Sequence, residues 1–197
     1  MLFLVMTLHV INGNLDVWNE RVYTRISSWR SPALTHIMIF VSFWGQWFVC
    51  LAISALLFAL PKTRKQVGVP ILFTTLSAVS LGYVLKRIIA IPRPDVLTLI
   101  EASGYGHPSG HTTRATVLFG ICAILVWKHT DKKSIRTVAT LLAVSLPTLM
   151  GFSRIYLGVH TATDTVAAYL TGISAIAFCV MALQCFGFWK VQHTERA

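Results

Sequence analysis

Residues 153–164 read Ser-Arg-Ile-Tyr-Leu-Gly-Val-His-Thr-Ala-Thr-Asp and set three ionisable side chains beside long apolar runs. Charge next to segments able to cross a bilayer is costly and usually marks function. His160 and Asp164 are spaced i, i+4, so on a helix they share a face and the carboxylate can accept a hydrogen bond from one imidazole nitrogen. That pairing orients a base or a nucleophile. The plainer use of Arg154, His160 and Asp164 is an interfacial salt bridge that pins a helix end.

The surrounding chain is strongly apolar. Of its 197 residues 55% are hydrophobic and 12% charged, with a mean hydropathy of +0.66, which argues against an ordinary soluble domain and predicts one polytopic membrane domain over residues 1–197. Cys50, Cys122, Cys179 and Cys185 lie in apolar runs with neither zinc nor disulfide spacing, so buried thiols are expected. The net charge of +10 comes from Lys and Arg between apolar segments, not along one soluble face. That pattern fits topology signals and an anionic substrate, and it disfavours a nucleic-acid partner.

Residues 2–11 are apolar but too few to span alone, since a helical crossing takes about 20 residues. No basic region precedes them and no small-residue cleavage site follows, so a short first span fits better than a signal peptide. From Leu15 to Arg30 apolar residues recur every three or four positions among Asp16, Glu20, Arg21 and Arg25, the pattern of an interfacial amphipathic helix. Five longer segments follow at roughly 33–60, 67–86, 111–128, 137–155 and 161–187, each adequate for a crossing. The expected fold is therefore all-α, a membrane bundle of about six transmembrane helices.

Basic residues cluster at alternate junctions: Lys62, Arg64 and Lys65; Lys128, Lys132, Lys133 and Arg136; Lys190 and Arg196. By the positive-inside tendency those junctions are cytoplasmic, and residues 87–110 and 155–161 face the other side. The parity of the crossings brings three groups to one face. In the first, Lys86 to Asp95, two prolines flank Arg93 and make it project from a stiff turn; otherwise Lys86-Arg87 is a basic anchor in headgroups. In the second, His107 to Thr113, Ser109 is a suitable N-cap and Gly110 allows close approach to a helix N-terminus, a natural phosphate site within reach of His111. An ordinary Pro-Ser cap with a surface histidine is the alternative there. The third group is the opening stretch.

Lys86 with Arg93-Pro94, then Pro108-Ser109-Gly110-His111, then Ser153-Arg154 with His160 and Asp164, closely resembles the three-part signature of the type 2 phosphatidic acid phosphatase superfamily. The match covers residues 86–164 and holds at every defining position, and the apolar framework is similar to the family's six-helix membrane members. The resemblance implies that His160 attacks phosphorus to form a phosphohistidine while Asp164 holds and polarises it. It implies that His111 protonates the leaving oxygen and then activates water. Lys86, Arg93, Arg154, Ser109 and the Gly110 N–H match the groups that bind the phosphoryl oxygens. Such an assembly suits phosphoryl transfer, where catalysis is mostly positioning and electrostatic stabilisation.

Histidines and a carboxylate at helical spacing also suit zinc. Three converging cations would repel a divalent metal, so a metal-independent enzyme without cofactor is expected. A headgroup-binding transporter or scaffold would share the basic, apolar composition but has no need of the His160–Asp164 pair with His111. A lipid-to-lipid phosphotransferase would share every motif. The short loop from Asp95 to His107 and the lack of a covering domain point to a lipid phosphate or diphosphate whose tail stays in the bilayer. Undecaprenyl diphosphate, phosphatidylglycerophosphate, phosphatidate and lipid A 1-phosphate all qualify. The compact chain suggests a bacterial inner-membrane enzyme with its site facing the periplasm and no obligate protein partner.

Overall fold

Long apolar runs form helices because, without water, every backbone N–H and C=O must be satisfied within the segment. The computed structural model describes residues 1–187, so Lys190 and Arg196 lie outside the described residues. Its helices are α1 (Leu2–Ile11), α2 (Asp16–Ser27), α3 (Pro32–Phe43), α4 (Trp47–Ala59), α5 (Val69–Ile89), α6 (Gly110–His129), α7 (Lys133–Tyr156) and α8 (Ala162–Cys185). A π-helical turn, Arg64–Gly68, leads into α5.

Four stretches are long and apolar enough to cross a membrane: Arg64–Ile89, Gly110–His129, Lys133–Tyr156 and Ala162–Cys185. The segment expected at 33–60 is not one straight helix. It breaks between α3 and α4 with a bend of 51°, giving a fifth candidate span if the pair is counted as one. The ten residues of α1 are too few for a crossing, so the count among the described residues is four or five and falls short of six. The amphipathic segment forms α2 as expected, with none of its residues fully buried.

The bundle closes where small residues let backbones approach, the usual means of membrane helix packing. A Cβ on Gly120 of α6 would come within 2.5 Å of Ile176 Cδ1 on α8, and one on Gly172 within 2.8 Å of Thr116. Gly151 lets α7 meet Thr165 and Tyr169 of α8, where a Cβ would lie 2.3 Å from Thr165 Cγ2. Forcing side chains into such contacts costs on the order of 1–3 kcal/mol. Apolar residues fill the remaining space: Cys50, Ile71, Leu118, Ile121, Leu125 and Leu183 around α6, and Ala78, Val117, Ala175 and Ile176 beside them.

Successive long helices run in opposite directions, so the C-terminal ends of α5 and α7 and the N-terminal ends of α6 and α8 meet at one end. Cross-links between loops fix that end. Arg30 donates to Tyr156 O at 3.0 and 2.8 Å and to Leu97 O at 3.0 Å. Leu99 N donates to Leu157 O, and Ser109 N to Asp164 O. Lys62, Arg64 and Lys65, with the basic residues of the α6–α7 junction, lie toward the other end.

Candidate active site

The N-terminus of α8 sets the geometry. Thr161 and Asp164 form a reciprocal capping box, the Thr161 hydroxyl accepting from Asp164 N at 3.1 Å and Asp164 Oδ2 accepting from Thr161 N at 3.0 Å. Asn19 of α2 supports this cap, accepting from Thr163 N and donating to the Thr163 hydroxyl, both at 3.0 Å. Asp164 Oδ2 also lies 3.2 Å from His160 Nδ1, with both residues 2% exposed. A carboxylate accepts only, so Nδ1 carries the proton and Nε2 the lone pair.

His160 Nε2 faces a cavity of about 500 Å³ lined also by Lys86, Arg93, Gly110, His111 and Arg114. Arg93 Nη1 lies 3.3 Å from Nε2 and donates to Val159 O at 2.8 Å, while Nη2 donates to Ser103 O at 2.9 Å. Lys86 Nζ donates to Tyr105 O at 2.5 Å and to Gly106 O at 3.2 Å. Burial depresses the His160 imidazolium, and its pKa is pushed down to about 3 despite the stabilising hydrogen bond it donates to Asp164. Burial likewise lowers the Arg93 pKa, against the opposing attraction of Asp164.

The eight residues expected at the site converge, but not all on the cavity surface. Five line it: Lys86, Arg93, Gly110, His111 and His160. Asp164 stands behind His160. Ser109 is fully buried, and its hydroxyl accepts from the Thr112 hydroxyl at 3.1 Å; as the α6 N-cap it makes no side-chain bond to the backbone, so the expected cap hydrogen bond is absent. Gly110 N–H has no acceptor among the described residues. Arg154 is 3% exposed; Nη1 donates to Ser42 Oγ, and Nε has no partner among the described residues. His111 Nε2 is buried and also without a partner among the described residues.

Two side chains join this constellation that the sequence reading left unused. His107 is fully buried, with Nδ1 3.1 Å from Asp164 Oδ1 and Nε2 3.2 Å from the Thr7 hydroxyl of α1. Arg114 lies one turn into α6 with Nε donating to Gly45 O at 2.9 Å. Ionisable residues at the mouth of an apolar segment were the available signal for both. Nothing local announced Thr7 or Asn19.

The model of the PAP2 superfamily matches residues 67–186, more than half of the chain. The chain belongs to the PAP2 superfamily. The relatives of this PAP2 protein include an undecaprenyl-diphosphatase of Sulfolobus acidocaldarius, 29% identical over 196 residues, covering 95% of this chain and 90% of that one. Phosphatidylglycerophosphatase B of Bacillus subtilis is 36% identical over 98 residues, 47% of this chain and 46% of its own. Among solved structures, the PAP2-type phosphatidylglycerolphosphate phosphatase of Bacillus subtilis superposes with a TM-score of 0.77 at 25% identity, covering 93% of both chains. LpxE of Aquifex aeolicus gives 0.59 at 25% identity, covering 83% of this chain and 95% of that one. The PAP2 protein is an all-helical, multi-pass membrane lipid phosphatase.

Proposed function

We propose that this phosphatase cleaves the terminal phosphoester or phosphoanhydride bond of a membrane lipid through a phosphohistidine on His160. One observation carries the reading: Asp164 holds Nδ1 of His160 at 3.2 Å while Nε2 faces a cation-lined cavity. A base that served only to anchor a helix would have no reason to present a lone pair there. Nε2 attacks phosphorus, and the bond to the leaving oxygen breaks with its electron pair. His111 gives that oxygen a proton, then takes one from the water that attacks the phosphohistidine, releasing inorganic phosphate and restoring both histidines.

Lys86, Arg93 and the free Gly110 N–H receive the phosphoryl oxygens, with Ser109 and Arg154 completing the cradle from behind the wall. The unpartnered Arg154 Nε and His111 Nε2 support this, because buried donors left unmatched by the protein are costly unless a ligand meets them. Preorganised donors of this kind stabilise the charge spread over the transferring group.

The lipid is one of undecaprenyl diphosphate, phosphatidylglycerophosphate, phosphatidate or lipid A 1-phosphate, and the names of the relatives above support the first two. The enzyme sits in a bacterial inner membrane with its cavity toward the periplasm, which the basic clusters at the opposite end support. Phosphate release by the purified chain in detergent, assayed against those four lipids, tests the reading. Release from at least one is expected, and release from none would reject it.

A further inference from the structure

Three arginines in and just after α2, Arg21, Arg25 and Arg30, stand at the cavity end of the bundle, the end that the positive-inside tendency leaves poor in basic residues. Arg30 is accounted for: it donates to Tyr156 O and Leu97 O, and its guanidinium carbon lies 5.3 Å from the centre of the Tyr23 ring. Arg21 and Arg25 are not. Both are exposed, and their guanidinium groups make no ion pair or hydrogen bond among the described residues. Spaced i, i+4, they share a face of α2, a like-charge arrangement that weakens a helix unless an anion sits between the two.

That face carries a pattern of its own. Trp18, Arg21 and Arg25 recur at three- and four-residue steps, and Trp29 follows four residues later in the turn after α2. Trp18 is 43% exposed and Trp29 51%. The opposite face is committed to the protein: Asn19 bonds Thr163 at the α8 cap, Tyr23 donates to Leu97 O, and Ile26 packs against the cluster of Met38, Tyr156, Leu157 and Val159. The acidic residues of the helix, Asp16 and Glu20, also lie away from the stripe, on a cavity shared with His160. Trp29 meets Phe152 with ring centroids 5.9 Å apart, so the stripe ends against the side of α7, one of the stretches able to cross a membrane. Tryptophan is enriched at the depth of lipid headgroups, and a helix with aromatic and basic residues exposed on one face suits that layer.

We propose that the stripe of Trp18, Arg21, Arg25 and Trp29 binds the phosphodiester headgroup of an anionic membrane phospholipid at the cavity end of the bundle. The fork of each guanidinium matches phosphate oxygens, and because the two arginines share a face one phosphate can take donors from both. A tryptophan at either end covers the less polar part of the lipid below the headgroup. A stripe with two positive charges and no negative one is complementary to an anionic lipid and not to a zwitterionic one, whose headgroup brings a cation of its own. A basic side chain beside an anionic headgroup favours it by about fivefold. Lipid bound there rests against the same helix that supports the α8 cap through Asn19. The assignment goes beyond the catalytic reading and holds whether or not His160 is the nucleophile.

The experiment places the full chain in nanodiscs of phosphatidylcholine that carry an equal mole fraction of either chain-brominated phosphatidylglycerol or chain-brominated phosphatidylcholine, and it reads the quenching of tryptophan fluorescence. The brominated phosphatidylglycerol should quench more strongly, with an association at least about fivefold tighter. R21Q/R25Q should bring the two lipids level, and W18F/W29F should remove the excess because those two rings report on the stripe. Equal quenching by the two lipids in the wild-type protein, or an excess that survives either double substitution, would overturn the assignment. The wild-type protein also gives a reading independent of whether a variant folds: the excess should fall several-fold between about 50 mM and about 500 mM salt, as exposed charges are screened. An excess indifferent to salt would overturn it too.

Discussion

His107 Nδ1 and Asp164 Oδ1 are 3.1 Å apart, so the carboxylate that orients His160 is itself gripped on its other oxygen by a second, fully buried histidine. Asp164 thus accepts from two imidazoles and from Thr161 N, and it has little freedom to swing. Removing one buried partner leaves an acceptor unsatisfied, at about 1–3 kcal/mol. His107→Leu should slow turnover by roughly tenfold or more and lower thermal stability. His107→Asn, whose amide N–H can replace Nδ1–H, should recover most of both. Equal rates in the two variants would show that the His107 hydrogen bond does not act on the nucleophile.

The depressed pKa of His160 has a kinetic consequence with a definite sign. Only the neutral imidazole can attack, and with a pKa of about 3 it stays neutral as pH falls through the ordinary histidine value of 6.5. The acid limb set by this residue should lie below about pH 4, and the alkaline limb should report loss of the proton from His111. His111→Ala should erase the alkaline limb and should harm substrates with poor leaving groups most. The pH dependence of kcat/KM in both proteins checks this, and an unchanged alkaline limb in the variant would reassign the acid.

The site-bearing end of the bundle was legible in the sequence because helix parity and polar punctuation both act over short range. Lys86, Arg93, His111 and His160 could be placed on one face without coordinates, and they line one cavity. The break at Trp44–Gln46 could not. The run from 33 to 60 carries Thr35, His36, Ser42, Gln46 and Ser54 among its apolar residues, and Gly45-Gln46 alone does not set a bend whose partners are distant: Gly45 packs against Met150 and His111 and accepts from Arg114. His107 was in view as part of the His-Pro-Ser-Gly-His run, yet its partner lies 57 residues away and only the fold reveals it. Thr7 and Asn19 are ordinary residues in local sequence, made significant by packing against His107 and Thr163. For the same reason the amphipathic helix α2 was recognised as a helix while its role in capping α8 was not.

The charge of the cavity predicts metal independence, since Lys86, Arg93 and Arg114 at its wall would repel a divalent cation. Turnover should be the same before and after exhaustive treatment with a chelator. Loss of activity with rescue by one divalent metal would contradict the phosphohistidine route.

Topology can be read in intact cells. A cysteine at Gly104, in the loop beside Arg93, should react with an impermeant thiol reagent added outside, whereas one at Lys132, between α6 and α7, should not. The reverse pattern would put the cavity on the cytoplasmic side.

The most direct test of the account is to quench a turnover with phosphate-labelled lipid under acid-free conditions and map the label. A phosphoramidate on His160 is predicted, with none on Ser109, His107 or His111. His160→Ala should carry no label and show no turnover while still binding the headgroup through Lys86 and Arg93. Asp164→Asn should be labelled slowly, because its imidazole keeps its place but loses the carboxylate that stabilises the cationic form. Label on any other residue, or appreciable turnover by His160→Ala, would contradict the account and make direct attack by water the better mechanism.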